Sequence, residues 1–256
     1  MRLKLSGALF ALLIALTACG GEPQADAPSR SKSAEPSASP SQELPLLKEL
    51  PIDLSTVDWK KVVAHRSLFD GGLPISDFGH LDGAGTANER RNPQPTFFAP
   101  LGTVVVAPVD GVVVEVGTLY SGDSTIMFGV ATGHTDVAWE TEHVIEVLVH
   151  VGDKVTAGQP VAKVSDYLCT YSKAKFGNDA YCGTGIGLTE LGYLVGGNPP
   201  KHFCPFGELT DPTALPKIET QLAAARQQIE KLAGKRLFDT RKWATPNCIV
   251  VDPVEG

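Results

Sequence analysis

No basic run appears anywhere in the sequence: 22 Lys and Arg stand against 29 Asp and Glu, a formal net charge of −7. Proteins that hold nucleic acid neutralise phosphates with clustered Lys and Arg, so nucleic acid is excluded as a partner. No CxxC pair is present, which argues against zinc-bound cysteines. The one long apolar run, Leu5 to Leu16, is too short to cross a bilayer comfortably. Amphipathic helical periodicity is scarce before residue 211, so the chain is not a helical bundle.

The N-terminus reads as an export signal. Arg2 and Lys4 precede the apolar run, and small residues lead to Cys19 in "LTAC". That tetrapeptide resembles the bacterial lipobox. The resemblance implies cleavage after residue 18 and acylation of Cys19, and several acyl chains together anchor a protein in a lipid bilayer stably. Gly20 and Gly21 follow, without the Asp that retains enteric lipoproteins at the inner membrane, so an outer-membrane lipoprotein facing the periplasm is expected. Residues 19–45, which include "EPQADAPSRSKSAEPSASPSQE", have too little apolar content to offset the entropy of ordering. They form a tether with a reach of about 25–30 Å.

Apart from Cys19, four cysteines remain: Cys169, Cys182, Cys204 and Cys248. In an exported protein an even number points to disulfides. Three pairings are possible. Cys169–Cys182, close in sequence, and Cys204–Cys248, which would fasten the C-terminal tail, are the expected pair.

From residue 102 to 164 the chain reads as short strands. "TVVVAPVDGVVVEVG" is two β-branched runs broken at Pro108 to Gly111, and "STIMFGVA", "VIEVLVHV" and "PVAKV" follow between Gly-containing turns. In "VIEVLVHV", alternation places Ile145, Val147 and Val149 on the core face. "GLTELGYLV" is a further strand. Val57 to Phe69 suggests a short helix. Ile218, Leu222, Ala225, Ile229 and Leu232 form one apolar seam of a helix that starts near Asp211-Pro212 and stops at Gly234. The expected domains are a signal peptide (1–18), the tether (19–45), a β domain (46–210) and a helix and tail packed on it (211–256).

"FFAPLGTVVVAPVDGVVVEVG" and "EHVIEVLVHVGDKVTAGQPVAKV", in that order and spacing, resemble the β core of the lysostaphin/LytM-type zinc endopeptidases, which cut peptide cross-links in bacterial cell walls. The resemblance implies a mainly β fold, an antiparallel sheet of the barrel-sandwich hybrid type (a duplicated hybrid motif), here with a C-terminal helix. It also implies zinc held by HxxxD and by the second His of HxH, with two further histidines for proton transfer or oxyanion stabilisation. Counting along the motif places Asn92 and Thr96 at HxxxD, and Gly187 and Thr189 at HxH. Only His143 keeps a histidine, at a catalytic position. Of the others, His80 with Asp82 offers the nearest substitute, so an alternative metal set is His80, Asp82 and His143. His65, His134, His150 and His202 read as surface or hydrogen-bonded residues.

The expectation is therefore a non-catalytic domain with no cofactor, whose groove at Asn92, Thr96, Gly187 and Thr189 binds peptidoglycan or regulates a cell-wall hydrolase. The alternative is an active zinc endopeptidase with a rearranged metal site. A periplasmic efflux adaptor shares "APVDGVVVEV", but its helical hairpin has no counterpart between Gly117 and Val149.

Overall fold

Val and Ile crowd the segments between residues 96 and 195, and branched side chains favour extended backbone on a half-buried surface. In the computed structural model, which describes residues 44–177, 179 and 181–256, these segments pair into an eleven-stranded sheet whose strand pairings are antiparallel. In chain order the strands are β1 (Ile75–Ser76), β2 (Leu81–Asp82), β3 (Arg90–Arg91), β4 (Thr96–Pro100), β5 (Val104–Val106), β6 (Gly111–Thr118) and β7 (Ser124–Gly129). They continue as β8 (Val137–Ile145), β9 (Lys154–Val155), β10 (Pro160–Val164), β11 (Ile186–Val195), β12 (Lys201–His202) and β13 (Val254–Glu255). The hydrogen-bonded order is β1-β4-β11-β8-β7-β6-β9. β10 bridges β5 and β8, β13 extends the sheet through β12, and β2 pairs with β3 apart from the sheet. The architecture is mainly antiparallel β with a C-terminal helix, as the sequence implies.

Phe97, Ile126, Phe128, Trp139 and Ile186 fill the core from the central strands. Leu47, Leu50, Ile52 and Leu54 join them, so the packed core begins ahead of the first strand. The main chain of Leu47 and Lys48 donates to the carbonyls of Leu209 and Pro108. Signal peptide, Cys19 and all of the tether but Leu44 and Pro45 lie outside the described residues. Among the described residues no helix is long and apolar enough to cross a membrane.

The short helix expected near residue 57 is α1 (Trp59–Ala64), capped by Asp58, whose side chain accepts from the Lys61 amide at 3.2 Å. It packs on β4 and on α3 (Leu215–Ala233). An isolated helix of this length is marginal in water, so docking decides whether α3 forms. Ile218, Leu222, Ala225 and Ile229 are buried along it, and full burial of each large aliphatic is worth about 1.5–3 kcal/mol. Leu232 leaves the seam for solvent in the last turn. Gly234, at φ 66°, ends the helix in a left-handed turn that a side chain would resist. Both expected disulfides are present, Cys169–Cys182 and Cys204–Cys248.

Two expectations fail. β8 ends at Ile145, and the expected alternation fails there: Ile145, assigned to the core, is 36% exposed while Val144 is buried, and Glu146 adopts φ 50°, although Val149 is buried as expected. A left-handed residue breaks the two-residue period on which the face assignment rested. Second, helix α2 (Tyr167–Phe176) stands between β10 and β11, where no apolar seam announced one. Gly177, at φ 64°, closes it.

Candidate functional site

The longest strand, β11, lies between β4 and β8 and puts Glu190 and Gly192 opposite Glu142 and Glu140 of β8. The three glutamates line a cleft of about 620 Å³, whose walls include Asn92, Gln94, Tyr120, His143, Tyr167 and His202. A side chain at Gly192 would press on Gln94 Nε2 and on Glu140, so glycine there keeps the floor open. Like charges directly opposite across a sheet are unfavourable, yet Glu142 and Glu190 are direct partners. Burial raises the Glu142 carboxyl well above the usual carboxylate range, and the nearby charges of Glu140 and Glu190 push the same way.

His143 stands beside this pair. Its backbone is left-handed, at φ 56°, and the register between β7 and β8 slips in the same stretch, between Ser124 and Ile126. That bulge allows the consecutive side chains of Glu142 and His143 both to line the cleft. His143 is 4% exposed. Nδ1 lies 3.0 Å from Asp123 Oδ2, and Nε2 lies 3.8 Å from Glu190 Oε2, beyond hydrogen-bond length. The Tyr167 ring covers the imidazole, with centroids 3.8 Å apart, and the Tyr167 and Tyr120 hydroxyls meet at 2.9 Å. Burial drives the Tyr167 hydroxyl strongly upward, so it stays protonated at neutral pH.

Asp123 holds the imidazole and is itself held, accepting from Ser165 Oγ at 2.6 Å and from Ser121 Oγ. Burial alone would raise its carboxyl, but the bonds from His143, Ser121 and Ser165 outweigh that and hold it below its ordinary value of 3.8. A depressed folded-state value contributes stability that is present above the ordinary value and lost as pH falls through the folded one. Replacing Asp123 by Asn is therefore expected to destabilise the protein near pH 7, with the gap to the parent closing below pH 3.8. Urea unfolding at a series of pH values reads this directly, and a gap independent of pH would refute it.

Asn92 and Thr96 do converge, as the motif spacing required. Asn92 Nδ2 donates to Thr96 Oγ1 at 2.9 Å, and Thr96 Oγ1 donates to Glu190 Oε1 at 2.8 Å. Gly187 and Thr189 belong elsewhere. The register with β4 and β8 turns Leu188 and Glu190 toward the cleft and its neighbouring hollow. Gly187 faces the Ser165 carbonyl so closely that any Cβ would collide with it, and Thr189 Oγ1 donates to the Glu142 carbonyl at 2.8 Å. The alternative set of His80, Asp82 and His143 is not assembled. His80 and Asp82 line the smaller hollow beside the cleft. Among the described residues, the metal-ligating atoms that converge are those of Glu142, His143 and Glu190, all within 4.8 Å of one another.

His202, which the sequence offers only as a surface or hydrogen-bonded residue, is buried: β12 folds back on β11 and brings it to the cleft wall, with Nε2 3.6 Å from Glu140 Oε2. Gln94 Nε2 and Thr125 Oγ1 donate to the same carboxylate at 3.0 and 2.7 Å. The turn "GGNPP" between two extended runs was the available signal for this hairpin.

Residues 95–175 match the family model of peptidase family M23. The match spans 81 of the chain's 256 residues. A search of curated proteins finds none that matches. Among solved structures, lysostaphin in solution is similar at 19% identity and TM-score 0.36, over 59% of this chain and 50% of that one. The chain therefore spans half the length of that relative. A mutant catalytic domain of the prophage-encoded M23 protein EnpA from Enterococcus faecalis is similar at 20% identity and TM-score 0.36, over 53% of this chain and 92% of that one. The catalytic domain of the antimicrobial peptidase lysostaphin from Staphylococcus simulans is similar at 21% identity and TM-score 0.34, over 47% and 78%.

The residues of this cleft do not fit the His–Asp–His zinc centre that the motif resemblance implies. An amide and a hydroxyl occupy the HxxxD positions; the Asn92 amide donates to the Thr96 hydroxyl, which donates to Glu190. Zinc takes imidazole, thiolate and carboxylate, and neither Asn92 nor Thr96 supplies one. Leu188 and Glu190, the β11 residues beside the metal-free pair, include no histidine.

Proposed function

We propose that this M23 domain binds peptidoglycan in its cleft without hydrolysing it, held at the bacterial cell envelope by acylated Cys19. The observation that carries the reading is the hydrogen-bonded chain Asn92–Thr96–Glu190, which fills the HxxxD positions with groups unable to hold a hydrolytic zinc. Without an ion at those positions, nothing there lowers the pKa of a water to near neutrality. What remains is a polar cleft large enough for a peptide segment, with an aromatic rim. Tyr120 is 75% exposed there, steadied by its bond to Tyr167, and an exposed ring of this kind offers a flat apolar face to a sugar or peptide.

Co-sedimentation with purified sacculi tests the reading. The parent protein should pellet with them, and Tyr120→Ala should bind about fivefold more weakly, the loss of roughly 1 kcal/mol common for an interface tyrosine. Protein that stays in the supernatant would refute peptidoglycan as the partner. The anchoring half stands on separate ground. Cells given labelled palmitate should label the parent chain and leave Cys19→Ser unlabelled, and a labelled variant would remove the lipid anchor from the reading.

A further inference from the structure

We propose that Glu142, His143 and Glu190 bind a divalent transition-metal ion of the Mn2+–Zn2+ class, through a ligand set unlike the His–Asp–His centre whose positions Asn92 and Thr96 now fill. The proposal rests on the non-hydrolytic reading of the cleft and adds a ligand to it.

Three independent features converge. The carboxylate oxygens of Glu142 and Glu190 and a nitrogen of His143 lie within 4.8 Å of one another, so modest side-chain rotation closes all three on one ion. Glu142 and Glu190 are direct cross-strand partners, an arrangement of like charges that a cation between them would turn from a cost into a site. The third feature is the orientation of His143. Asp123 engages Nδ1 at 3.0 Å, itself fixed by Ser121 and Ser165. A carboxylate on one imidazole nitrogen sets the tautomer and leaves the lone pair of the other for a metal. That other nitrogen, Nε2, belongs to a side chain only 5% exposed, lines the cleft, and stands 3.8 Å from Glu190, too far for a hydrogen bond.

The groups around the three ligands are engaged with one another. Glu140 accepts from Gln94 and Thr125 and lies beside His202, and the outer oxygen of Glu190 accepts from Thr96. Two carboxylates with one imidazole suit ions that accept mixed oxygen and nitrogen ligands, which favours Mn2+ and Zn2+ over Ca2+ or Mg2+. Three protein ligands leave positions open, and a carboxylate of a bound peptide could take one. His143, the single motif histidine that survives, then serves as a ligand, which removes it from proton transfer.

The test uses the full chain, stripped with chelator and dialysed against Mn2+ or Zn2+. One ion per chain is expected, with nitrogen coupling in the electron paramagnetic resonance of the Mn2+ form. Glu142→Gln and Glu190→Gln should each weaken binding by at least about tenfold, and Asp123→Asn by about tenfold to a hundredfold through loss of imidazole orientation. His150→Ala, whose side chain is 91% exposed, should bind as the parent does. Circular dichroism identifies any variant that fails to fold, and Glu142→Gln leaves the Thr96–Glu190 bond in place for that contingency. No stoichiometric ion at millimolar metal, or an ion unaffected by both glutamate substitutions, would overturn the proposal. Sacculus binding measured in chelator separates the two ideas. If it persists while metal uptake fails, only the metal site falls.

Discussion

Arg226→Ala should lower the unfolding free energy by about 3–5 kcal/mol, the usual consequence of stripping one partner from a buried ion pair. Arg226 is 7% exposed near the middle of α3, and it donates to Asp77 Oδ1 at 2.5 Å and to Asn247 Oδ1 at 2.6 Å. Its guanidinium lies over the Trp243 ring at 4.8 Å and the Phe238 ring at 5.6 Å. Trp243 Nε1 donates to the other Asp77 oxygen at 2.7 Å. The substitution leaves the partly buried Asp77 without its cationic partner and removes the clamp that joins helix, tail and β core. For a domain of this size the loss corresponds to roughly 10 °C in Tm. Arg226→Lys keeps the charge but not the planar fork or the stacking, so it should fall between the two. Thermal unfolding by circular dichroism measures all three, and a loss below about 1 kcal/mol for Arg226→Ala would show that the clamp is ornamental.

The second large effect is expected from the double variant Cys204→Ser with Cys248→Ser. The bridge closes a separation of 44 residues, for which the chain-entropy model gives about 4 kcal/mol. It also has a functional consequence. Cys204 follows β12, which carries His202 into the cleft wall, and β12 pairs with β13, beyond which Gly256 lines the same cleft. Loosening this corner should weaken sacculus binding as well as stability, while Cys169–Cys182, which flanks α2, should affect chiefly the Tyr167 cover on His143. Equilibrium unfolding and co-sedimentation of the double variant read both effects. Full binding by a protein destabilised by several kcal/mol would break the link between tail and cleft.

Much of the fold was legible in the sequence. β-branched runs gave β5, β6, β7, β10 and β11, the seam of Ile218, Leu222, Ala225 and Ile229 gave α3, and cysteine arithmetic gave both bridges. The site was legible only in part. Asn92, Thr96 and His143 were placed by motif spacing and do meet in one region. Gly187 and Thr189 missed by a single residue, and in a strand one residue is the difference between two faces. Glu190 was thereby overlooked. Glu142 escaped because alternation puts neighbours on opposite faces, and only the left-handed His143 lets both reach the cleft. His202 depended on a hairpin return, a long-range fact that local periodicity does not contain. α2 carried no apolar stripe, since it packs through a few residues such as Tyr167 and is fastened by Cys169.

The most direct test is dye-labelled peptidoglycan incubated with the purified protein, first in added Zn2+ and then in chelator, with released dye and pelleted protein measured together. A binding domain without the hydrolytic zinc centre predicts protein in the pellet and dye release no higher than the protein-free blank under both conditions. Dye released in zinc and abolished by chelator would contradict it.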